Sequence, residues 1–387
     1  MISFLKGTEY KNFVLAIVSN FFFFCNFSAF FLLPLYIKKV GGTEATIGYV
    51  MGSFGIASFG TIPLVSYLID RYGRKKFIIL GALVLFIASL SYLSVSRIGP
   101  RIFILRILQG LGFAFFFTSV STFVSDTVPS NLRAQGLGIF GAFTIASYAV
   151  GPTIGEYIIR NYGFHYFFIY ASAFSMIAFL LILFTTDSRF KTSTDRFGID
   201  FFKLIFSQRY KFILLINFVI AGGLGVMLNF FSDFLNTRGF KASYFFVTYT
   251  AAVTAVRIFG GKLPDIYGRR KIALPCLLIL ASSLMLISEI DSVLMVLTVS
   301  VLFSTGYGML YPAISSIIVD RAKEDERGKA MGAFNSTFSL GINFLAFPFG
   351  YIAKNFGYEK MYFLAGIFVL AGFFILKFFE SEKYSEI

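Results

Sequence analysis

Two stretches of the chain decide its fold: residues 261–271, with the sequence GKLPDIYGRRK, and residues 70–76, with the sequence DRYGRKK. The aspartate, glycine and first arginine after it lie 195 positions apart in the two stretches, each of which follows a long apolar segment. A second set recurs at a spacing of 194 positions and pairs Gly112, Asp126, Arg133 and Gly138 with Gly306, Asp320, Arg327 and Gly332. The chain therefore consists of two halves that repeat each other.

The composition places both halves in a membrane. Of the 387 residues, 57% are hydrophobic and 14% are charged, and the mean hydropathy is +0.78. A soluble domain carries about 25% charged residues. Because a membrane-spanning helix needs about 20 apolar residues, a chain of this length holds about a dozen of them. The composition excludes a soluble globular enzyme and predicts an integral membrane protein.

Apolar segments bounded by charges, glycine or proline predict six helices in each half. We expect them at 12–36, 46–69, 76–95, 101–125, 134–158 and 165–186, and again at 209–235, 243–263, 271–289, 293–319, 330–353 and 360–379. The hydrophilic stretch 187–208 is predicted to be a cytoplasmic linker. The expected fold is an all-α membrane protein with twelve transmembrane helices in two pseudo-symmetric six-helix bundles, 1–186 and 209–387.

The basic charge of the chain indicates its orientation. The 34 Lys and Arg residues outnumber the 20 acidic ones, and 23 of them fall at the termini, in the linker and in the loops on the same side. Only 9 fall in the loops of the opposite side, so we expect both termini in the cytoplasm. This asymmetry accounts for the net charge of +14 without a nucleic-acid partner. Cys25, Cys276 and the single His165 have no metal-ligand spacing, and we expect no metal and no cofactor.

Three motifs resemble those of the major facilitator superfamily, and the resemblance extends over essentially the whole chain. Residues 261–271 match the loop motif G-x-L-x-D-x-x-G-R-R-K, and residues 106–114, RILQGLGFA, are similar to R-x-x-Q-G-x-G-x-A. In the fifth helix Gly151, Pro152 and Gly155 resemble the exporter motif G-x-x-x-G-P-x-x-G-G, although Ser147 and Glu156 replace its first and last glycines. The chain is most similar to twelve-helix drug and metabolite exporters of this family.

The resemblance implies a secondary transporter that is not an enzyme, works as a monomer in the plasma (cytoplasmic) membrane and binds a small molecule near the bilayer midplane. Protons are the implied coupling ion, and without a Walker-type loop we expect no direct use of ATP. The predicted function is proton-linked export of a small organic molecule. Two alternatives stay open: an importer or facilitator of a small organic anion, and a non-transporting membrane sensor.

The repeated loops predict a gating latch, with a charged topological anchor as the alternative reading. The glycines Gly73 and Gly268 permit tight turns, and the aspartates Asp70 and Asp265 can cap the following helix. Because Asp126 and Asp320 end the fourth and tenth helices on the same side of the membrane, we predict two ion pairs between helices. They join Arg74 to Asp126 and Arg269 to Asp320.

Two arginines fall within predicted spans, where a charge is costly unless it faces protein or a water-filled cavity. Arg106 lies in the fourth helix, and either coupling or recognition of substrate charge is implied by its motif. The alternative is an arginine satisfied by backbone carbonyls or by the membrane interface. Arg257 lies in the eighth helix, where the repeat has Ile62, and it either binds an anionic substrate or is hydrogen-bonded structurally.

Polar residues within the spans mark the predicted transport path, which family analogy assigns to helices one, four, seven and ten. The candidates beside the two arginines are Asn26, Gln109, Asn229, Tyr307, Tyr311 and Asn335. Hydrogen bonds between helices are the alternative role for each. The first helix has no acidic residue between Tyr10 and Tyr36. Glu156 and Asp233 lie near outer helix ends, and we expect Glu156 to be a water-exposed carboxylate and neither to form a buried proton site.

Overall fold

A computed structural model describes residues 7–129, 132–186, 206–322 and 327–378, and every regular element within these ranges is helical. In these ranges 11 helical segments are long and apolar enough to cross a membrane. The last of them, Ala330–Phe378, has 49 residues, about twice the length that one crossing requires. Gly357, with φ 85°, interrupts its helical backbone, and the segment therefore provides two spans. The predicted all-α fold with twelve membrane-spanning segments is confirmed.

The helices of the first half begin and end close to the predicted positions. The first span is α1 (Gly7–Ala29), continued by a 3₁₀ turn and by α2 (Leu33–Lys39). The others are α3 (Glu44–Tyr72), α4 (Lys75–Ser91), α5 (Pro100–Thr127), α6 (Arg133–Tyr162) and α7 (Phe164–Leu183).

The helices of the second half differ from the prediction at two places. They are α8 (Lys211–Thr237), α9 (Ala242–Gly260), α10 (Leu263–Tyr267), α11 (Arg269–Met285), α12 (Val293–Arg321), α13 (Arg327–Phe344) and α14 (Ala346–Phe378). The predicted helix 243–263 ends at Gly260, and the short α10 follows as a separate turn. The predicted helix 330–353 is broken between Phe344 and Ala346.

The helices form two compact units. One contains α1, α2, α4 to α7 and the part of α3 from Ile56 onward, and the other contains Gly42–Gly55 and α8 to α14. The start of α3 groups with the second unit because Gly48 lies against the Ala346 carbonyl and Gly350, where a side chain has no room. This grouping differs from the predicted boundaries 1–186 and 209–387, which stay a prediction. Residues 187–205 of the predicted linker lie outside the described residues.

The internal repeat is visible in the packing of each unit. A Cβ atom added to Gly112 of α5 would lie 3.1 Å from the backbone nitrogen of Leu85 in α4. At the corresponding place in the second unit, a Cβ atom added to Gly306 of α12 would lie 2.8 Å from the backbone nitrogen of Leu280 in α11. Contacts this short place the backbones of the two helices side by side, which is how small residues hold helices together in lipid.

Phenylalanine rings fill the rest of the first unit. Phe23 of α1 and Phe116 of α5 stack with ring centroids 3.7 Å apart, and both side chains are fully buried. Phe13, Phe24 and Phe123 belong to the same core cluster. These rings therefore belong to the hydrophobic core of the first unit.

The glycine contact between α4 and α5 gives a stability prediction. A Cβ atom at Gly81 would lie 2.6 Å from the Gly112 carbonyl oxygen, so Gly81→Ala must push the two helices apart. We expect this variant to lower the free energy of unfolding by about 1–3 kcal/mol, measured as a lower thermal midpoint of the purified protein.

Gly141→Ala in α6 is the matched control, because a Cβ atom there meets no atom within 4 Å. In an open helical position alanine is favoured over glycine by about 0.5–1 kcal/mol, so the control should be neutral or stabilising. Equal thermal midpoints for the two variants would contradict the close packing of α4 on α5.

Candidate functional site

The loop between α3 and α4 holds an arginine between two carboxylates. Gly73 has φ 92°, a conformation that glycine adopts without strain, and it turns the chain so that Arg74 faces inward. The Arg74 Nε atom lies 2.9 Å from Asp126 Oδ2 at the end of α5, and its Nη2 atom lies 3.3 Å from Asp70 Oδ1. Arg74 Nη1 also donates to the Ile69 carbonyl at 3.2 Å. One guanidinium therefore joins the ends of three helices.

The second unit repeats the arrangement. Gly268 has φ 95°, and Arg269 contacts Asp320 at the end of α12 through its Nη1 atom. The Arg269 Nη2 atom lies 3.7 Å from Asp265 Oδ1. Both predicted ion pairs between helices are thus present, and we call them the latch pairs, Arg74–Asp126 and Arg269–Asp320. Their role in gating stays a prediction.

Two further details describe the latch loops. Arg74 and Gly268 occupy the N-cap positions of α4 and α11, and Asp70 and Asp265 each form an ion pair with the arginine four residues later. The capping of the following helices by these aspartates stays a prediction. The two pairs also differ in burial, since the side chain of Asp126 is 27% exposed and that of Asp320 is 56% exposed.

Arg106 belongs to a buried hydrogen-bond network inside the first unit. It lies six residues after Pro100, about 9 Å into α5 at 1.5 Å per residue. Its Nη1 atom donates to Gln109 Oε1 at 2.9 Å, and Gln109 Nε2 donates to Ser89 Oγ of α4 at 3.3 Å. Only 4% of Arg106 and 1% of Gln109 are exposed. The hydrogen bond between Arg106 and Gln109 therefore fixes the positions of both motif side chains.

Asn26 of α1 closes the same network. Its Nδ2 atom contacts Ser89 Oγ at 2.9 Å, the Ala171 carbonyl at 2.6 Å and Ser175 Oγ at 3.1 Å. The predicted site residues Asn26, Gln109 and Arg106 thus come together, and the hydrogen bonds between them join α1, α4, α5 and α7. This geometry supports the alternative in which Asn26 bonds helices to one another.

Arg257 has a different environment. Its guanidinium carbon lies 5.9 Å from the centroid of the Tyr311 ring on α12, and the residue is partly buried. Its Nε atom is buried, and within the described ranges Arg257 forms neither a hydrogen bond nor a salt bridge. The predicted structural role requires a hydrogen-bond acceptor for this arginine, and none of the described residues provides one.

The remaining predicted path residues are divided among three environments. Tyr307 is buried and stacks with Phe303, at a centroid distance of 6.3 Å, whereas Tyr311 is partly exposed and contacts Phe334 and Phe338. Asn229 is buried and donates to the Ile342 carbonyl at 3.0 Å, which joins α8 to α13. Asn335 is exposed. Only Tyr311 adjoins Arg257 directly.

The exporter-type motif forms a seam between α1 and α6. Gly151 faces the backbone of α1, where an added Cβ atom would lie 2.9 Å from the nitrogen of Ala29. Ser28 Oγ donates to the Ser147 carbonyl at 2.9 Å across the same seam. Gly155 packs against Phe167, and Pro152 lies inside the helix. Small residues at these positions permit the close approach, as the motif predicts.

Glu156 and Asp233 are both buried, although the sequence places them near outer helix ends and predicts that Glu156 is exposed to water. Glu156 is 4% exposed and forms an ion pair with Arg160 at 2.9 Å, so the expected water-exposed carboxylate is wrong. Asp233 is 2% exposed and accepts a hydrogen bond of 2.6 Å from Tyr358 of α14. The ion pair of Glu156 with Arg160 could have been predicted from the sequence, because residues four apart are neighbours on a helix. The contact of Asp233 across 125 positions was not visible in the sequence.

The unequal burial of the latch pairs gives a prediction. Asp126→Asn removes the charge beside the buried Arg74 and is expected to lower the free energy of unfolding by roughly 1.5–3 kcal/mol. Asp320→Asn removes the same charge from a more exposed pair and is expected to cost at most about 1 kcal/mol. Thermal unfolding of the two purified variants measures the difference, and an equal or reversed order would contradict it.

Comparison with known proteins places the chain in a family. The model of the Major Facilitator Superfamily matches residues 15–342 and also residues 212–387. Multidrug resistance protein 2 of Bacillus subtilis is 25% identical over 369 residues, which cover 91% of this chain and 90% of that protein. Quinolone resistance protein NorA of Staphylococcus aureus is 24% identical over 325 residues, with coverages of 81% and 82%. An uncharacterised MFS-type transporter of Methanocaldococcus jannaschii is 24% identical over 355 residues, with coverages of 89% and 91%.

Solved structures agree with this placement at the level of the fold. The crystal structure of the nucleoside transporter NupG matches with a TM-score of 0.78 and 14% identity, covering 94% of this chain and 98% of that one. The human organic anion transporter MFSD10 matches with a TM-score of 0.70 and 15% identity, with coverages of 96% and 100%. The family consists of membrane transporters rather than enzymes, and its members bind small-molecule substrates. This chain, an integral multi-pass membrane protein, belongs to the Major Facilitator Superfamily.

Proposed function

We propose that this chain exports a small organic molecule by alternating access, linked to proton movement. The observation that carries the proposal is the duplicated latch, in which each unit holds an arginine between a loop aspartate and the end of a neighbouring helix. A transporter must exchange two conformations of similar free energy, and contacts of about 1 kcal/mol are strong enough to bias that exchange without preventing it. The more exposed Arg269–Asp320 pair fits this role best.

The direction of transport is inferred from the relatives. The names of the Bacillus subtilis and Staphylococcus aureus proteins refer to multidrug and quinolone resistance, and each covers more than four fifths of this chain. The seam at Gly151, Pro152 and Gly155 supports the same direction, because that motif is associated with exporters. Export from the cell is therefore favoured over uptake.

The orientation in the membrane is inferred from the charge distribution. We propose that the protein is a monomer in the plasma membrane, with the latch loops and both termini in the cytoplasm. The support is the excess of Lys and Arg on that side, 23 of the 34 in the chain.

The coupling carboxylate that we propose is Asp233. Its side chain is buried among α8 and α14, where Tyr358 donates to it and the buried Tyr362 hydroxyl has no hydrogen-bond partner among the described residues. A carboxylate in such surroundings can change its protonation when water reaches it, which is the property that proton coupling requires.

Transport in proteoliposomes tests the proposal. The purified protein is reconstituted, and movement of a compound panel is measured with and without a pH gradient across the vesicle membrane. We expect a pH gradient to drive accumulation in the wild type. Asp233→Asn should retain exchange of substrate but lose most of its response to the gradient.

Asp291→Asn is the matched control, because Asp291 is exposed in the connection before α12 and the same charge is removed. It should respond to the gradient as the wild type does. Transport that ignores the gradient in the wild type would refute proton coupling. Absence of movement for every compound in either direction would refute export and favour the membrane sensor.

A second candidate function, uptake of a small organic anion, is favoured by a specific observation. Arg257 places a positive charge within a span, and no acidic residue within the described ranges pairs with it. An arginine of this kind suits an anionic substrate in either direction of transport. The direction itself is decided by the gradient experiment.

A further inference from the structure

Arg257 and Arg106 are the two arginines that the sequence places within predicted spans, and the structure gives them different environments. The Arg106 guanidinium donates to Gln109, whose amide continues the network to Ser89. The Arg257 guanidinium contacts the face of Tyr311, and none of its donors forms a hydrogen bond with the described residues. A guanidinium carries five N–H donors and stays charged under all conditions that a protein meets. The donors of Arg257 therefore remain available to a ligand.

The position of Arg257 within the span adds to this argument. Tyr311, which its guanidinium faces, lies ten residues before Arg321, the last residue of α12. At 1.5 Å per residue the ring is about 15 Å from that helix end, which is about half the thickness of the hydrocarbon core. Arg257 lies in the last turn of α9, where side chains tilt toward the N-terminal end of their helix, and its guanidinium reaches the level of the Tyr311 ring. The charge is thus held away from the aqueous end of the helix.

The fold itself does not require this charge. The position that corresponds to Arg257 in the first half is Ile62, 195 residues earlier, and that helix forms without an arginine. The contact between α9 and α12 includes packing that does not involve Arg257, such as Val256 against Gly308 and the hydrogen bond of 3.4 Å from Ser304 Oγ to the Tyr249 carbonyl. A charge that the packing does not use, at a depth where charges are costly, is expected to serve a ligand.

The surroundings of the guanidinium indicate the chemistry of that ligand. The partly exposed rings of Tyr311 and Phe338 have centroids 5.2 Å apart, and Tyr307, four residues before Tyr311 on α12, has its ring centroid 6.3 Å from that of Tyr249. An arginine recognises planar oxyanions through two parallel hydrogen bonds, and aromatic rings beside it accept a flat apolar group. We infer that Arg257 and Tyr311 form a binding site for an organic anion whose acidic group is attached to a flat, apolar body.

This inference rests on the proposed transport function but is tested by binding, so the two can fail separately. Four naphthalene probes of nearly equal shape are used: 1-naphthoate, 1-naphthalenesulfonate, the neutral 1-naphthamide and the cationic 1-naphthylmethylammonium. The protein is placed in nanodiscs of phosphatidylcholine, and Kd is measured from probe fluorescence. The chain contains no Trp, so the protein background is low.

The wild type is expected to bind the two anions at least about tenfold more tightly than the amide or the cation, the ratio that one charge-assisted hydrogen bond provides. Arg257→Gln should raise Kd for the anions by at least about tenfold and leave Kd for the amide unchanged. Arg257→Lys keeps the charge but loses the paired hydrogen bonds, so its Kd for the anions should lie between those of the wild type and of Arg257→Gln. Arg238→Gln is the matched control, because Arg238 pairs with Glu359 near the opposite end of the helices and its loss should leave anion selectivity intact.

Three results would overturn the inference. The first is tighter binding of the cation than of the anions by the wild type, and the second is an equal loss of all four probes in Arg257→Gln. The third concerns a lipid headgroup, which offers a phosphate to the same guanidinium. The site belongs to lipid if two results occur together. Adding phosphatidylglycerol to the nanodiscs abolishes anion binding by the wild type, and Arg257→Gln binds the anions no more tightly than the amide.

If Arg257→Gln does not fold, Tyr311→Leu takes its place. It removes the ring beneath the guanidinium and should weaken both anions and the amide, with unchanged preference for the anions. Loss of that preference would overturn the assignment of charge recognition to Arg257. Binding of the anions without movement in proteoliposomes would support the site and refute the transport function.

Discussion

The backbone of a chain in lipid must satisfy its own hydrogen bonds, and the rest of this structure depends on that constraint. In the described residues every regular element is a helix, because a helix pairs its N–H and C=O groups within one segment. Lipid offers no hydrophobic force between helices, so close contact depends on small side chains. Gly81 with Gly112, Gly306 with Leu280 and Gly151 with α1 provide this contact, and each brings two backbones within van der Waals distance.

The same constraint makes buried polar groups informative. A group that is bonded on all sides contributes to the architecture, as Asn26 does through three contacts with α4 and α7. A group whose donors have no acceptor in the fold imposes a cost that packing does not repay, and Arg257 is such a group within the described residues. Satisfaction of hydrogen bonds, rather than depth alone, is therefore the criterion by which we assign an architectural role to Asn26 and propose a ligand-binding role for Arg257.

The sequence predicted the features that depend on local pattern. The helices were visible as apolar segments, and the latch pairs were visible because the motif recurs and places Arg74 and Arg269 beside helix ends that carry aspartate. The hydrogen bond between Arg106 and Gln109 was accessible in principle, since residues three apart share a helix face. The burial of Asp233 and the grouping of Gly42–Gly55 with the second unit were not, because each depends on a helix more than 100 positions away. Spacing along one helix is readable from sequence, whereas the identity of the neighbouring helix is not.

Charge neutralisation connects the proposed anion site to the proposed transport cycle. An arginine whose donors lack partners is costly wherever lipid or protein surrounds it, and an anion bound to it removes most of that cost. If Arg257 binds the substrate, the loaded carrier is electrically more favourable to enclose than the empty one. Binding then lowers the free energy of the closed intermediate relative to the open states, which is the differential affinity that a conformational change requires. A proton bound to Asp233 would likewise remove the negative charge of that carboxylate and lower the cost of enclosing it. In this proposal the second unit holds a partly buried arginine, which an anion would neutralise, and a buried carboxylate, which a proton would neutralise.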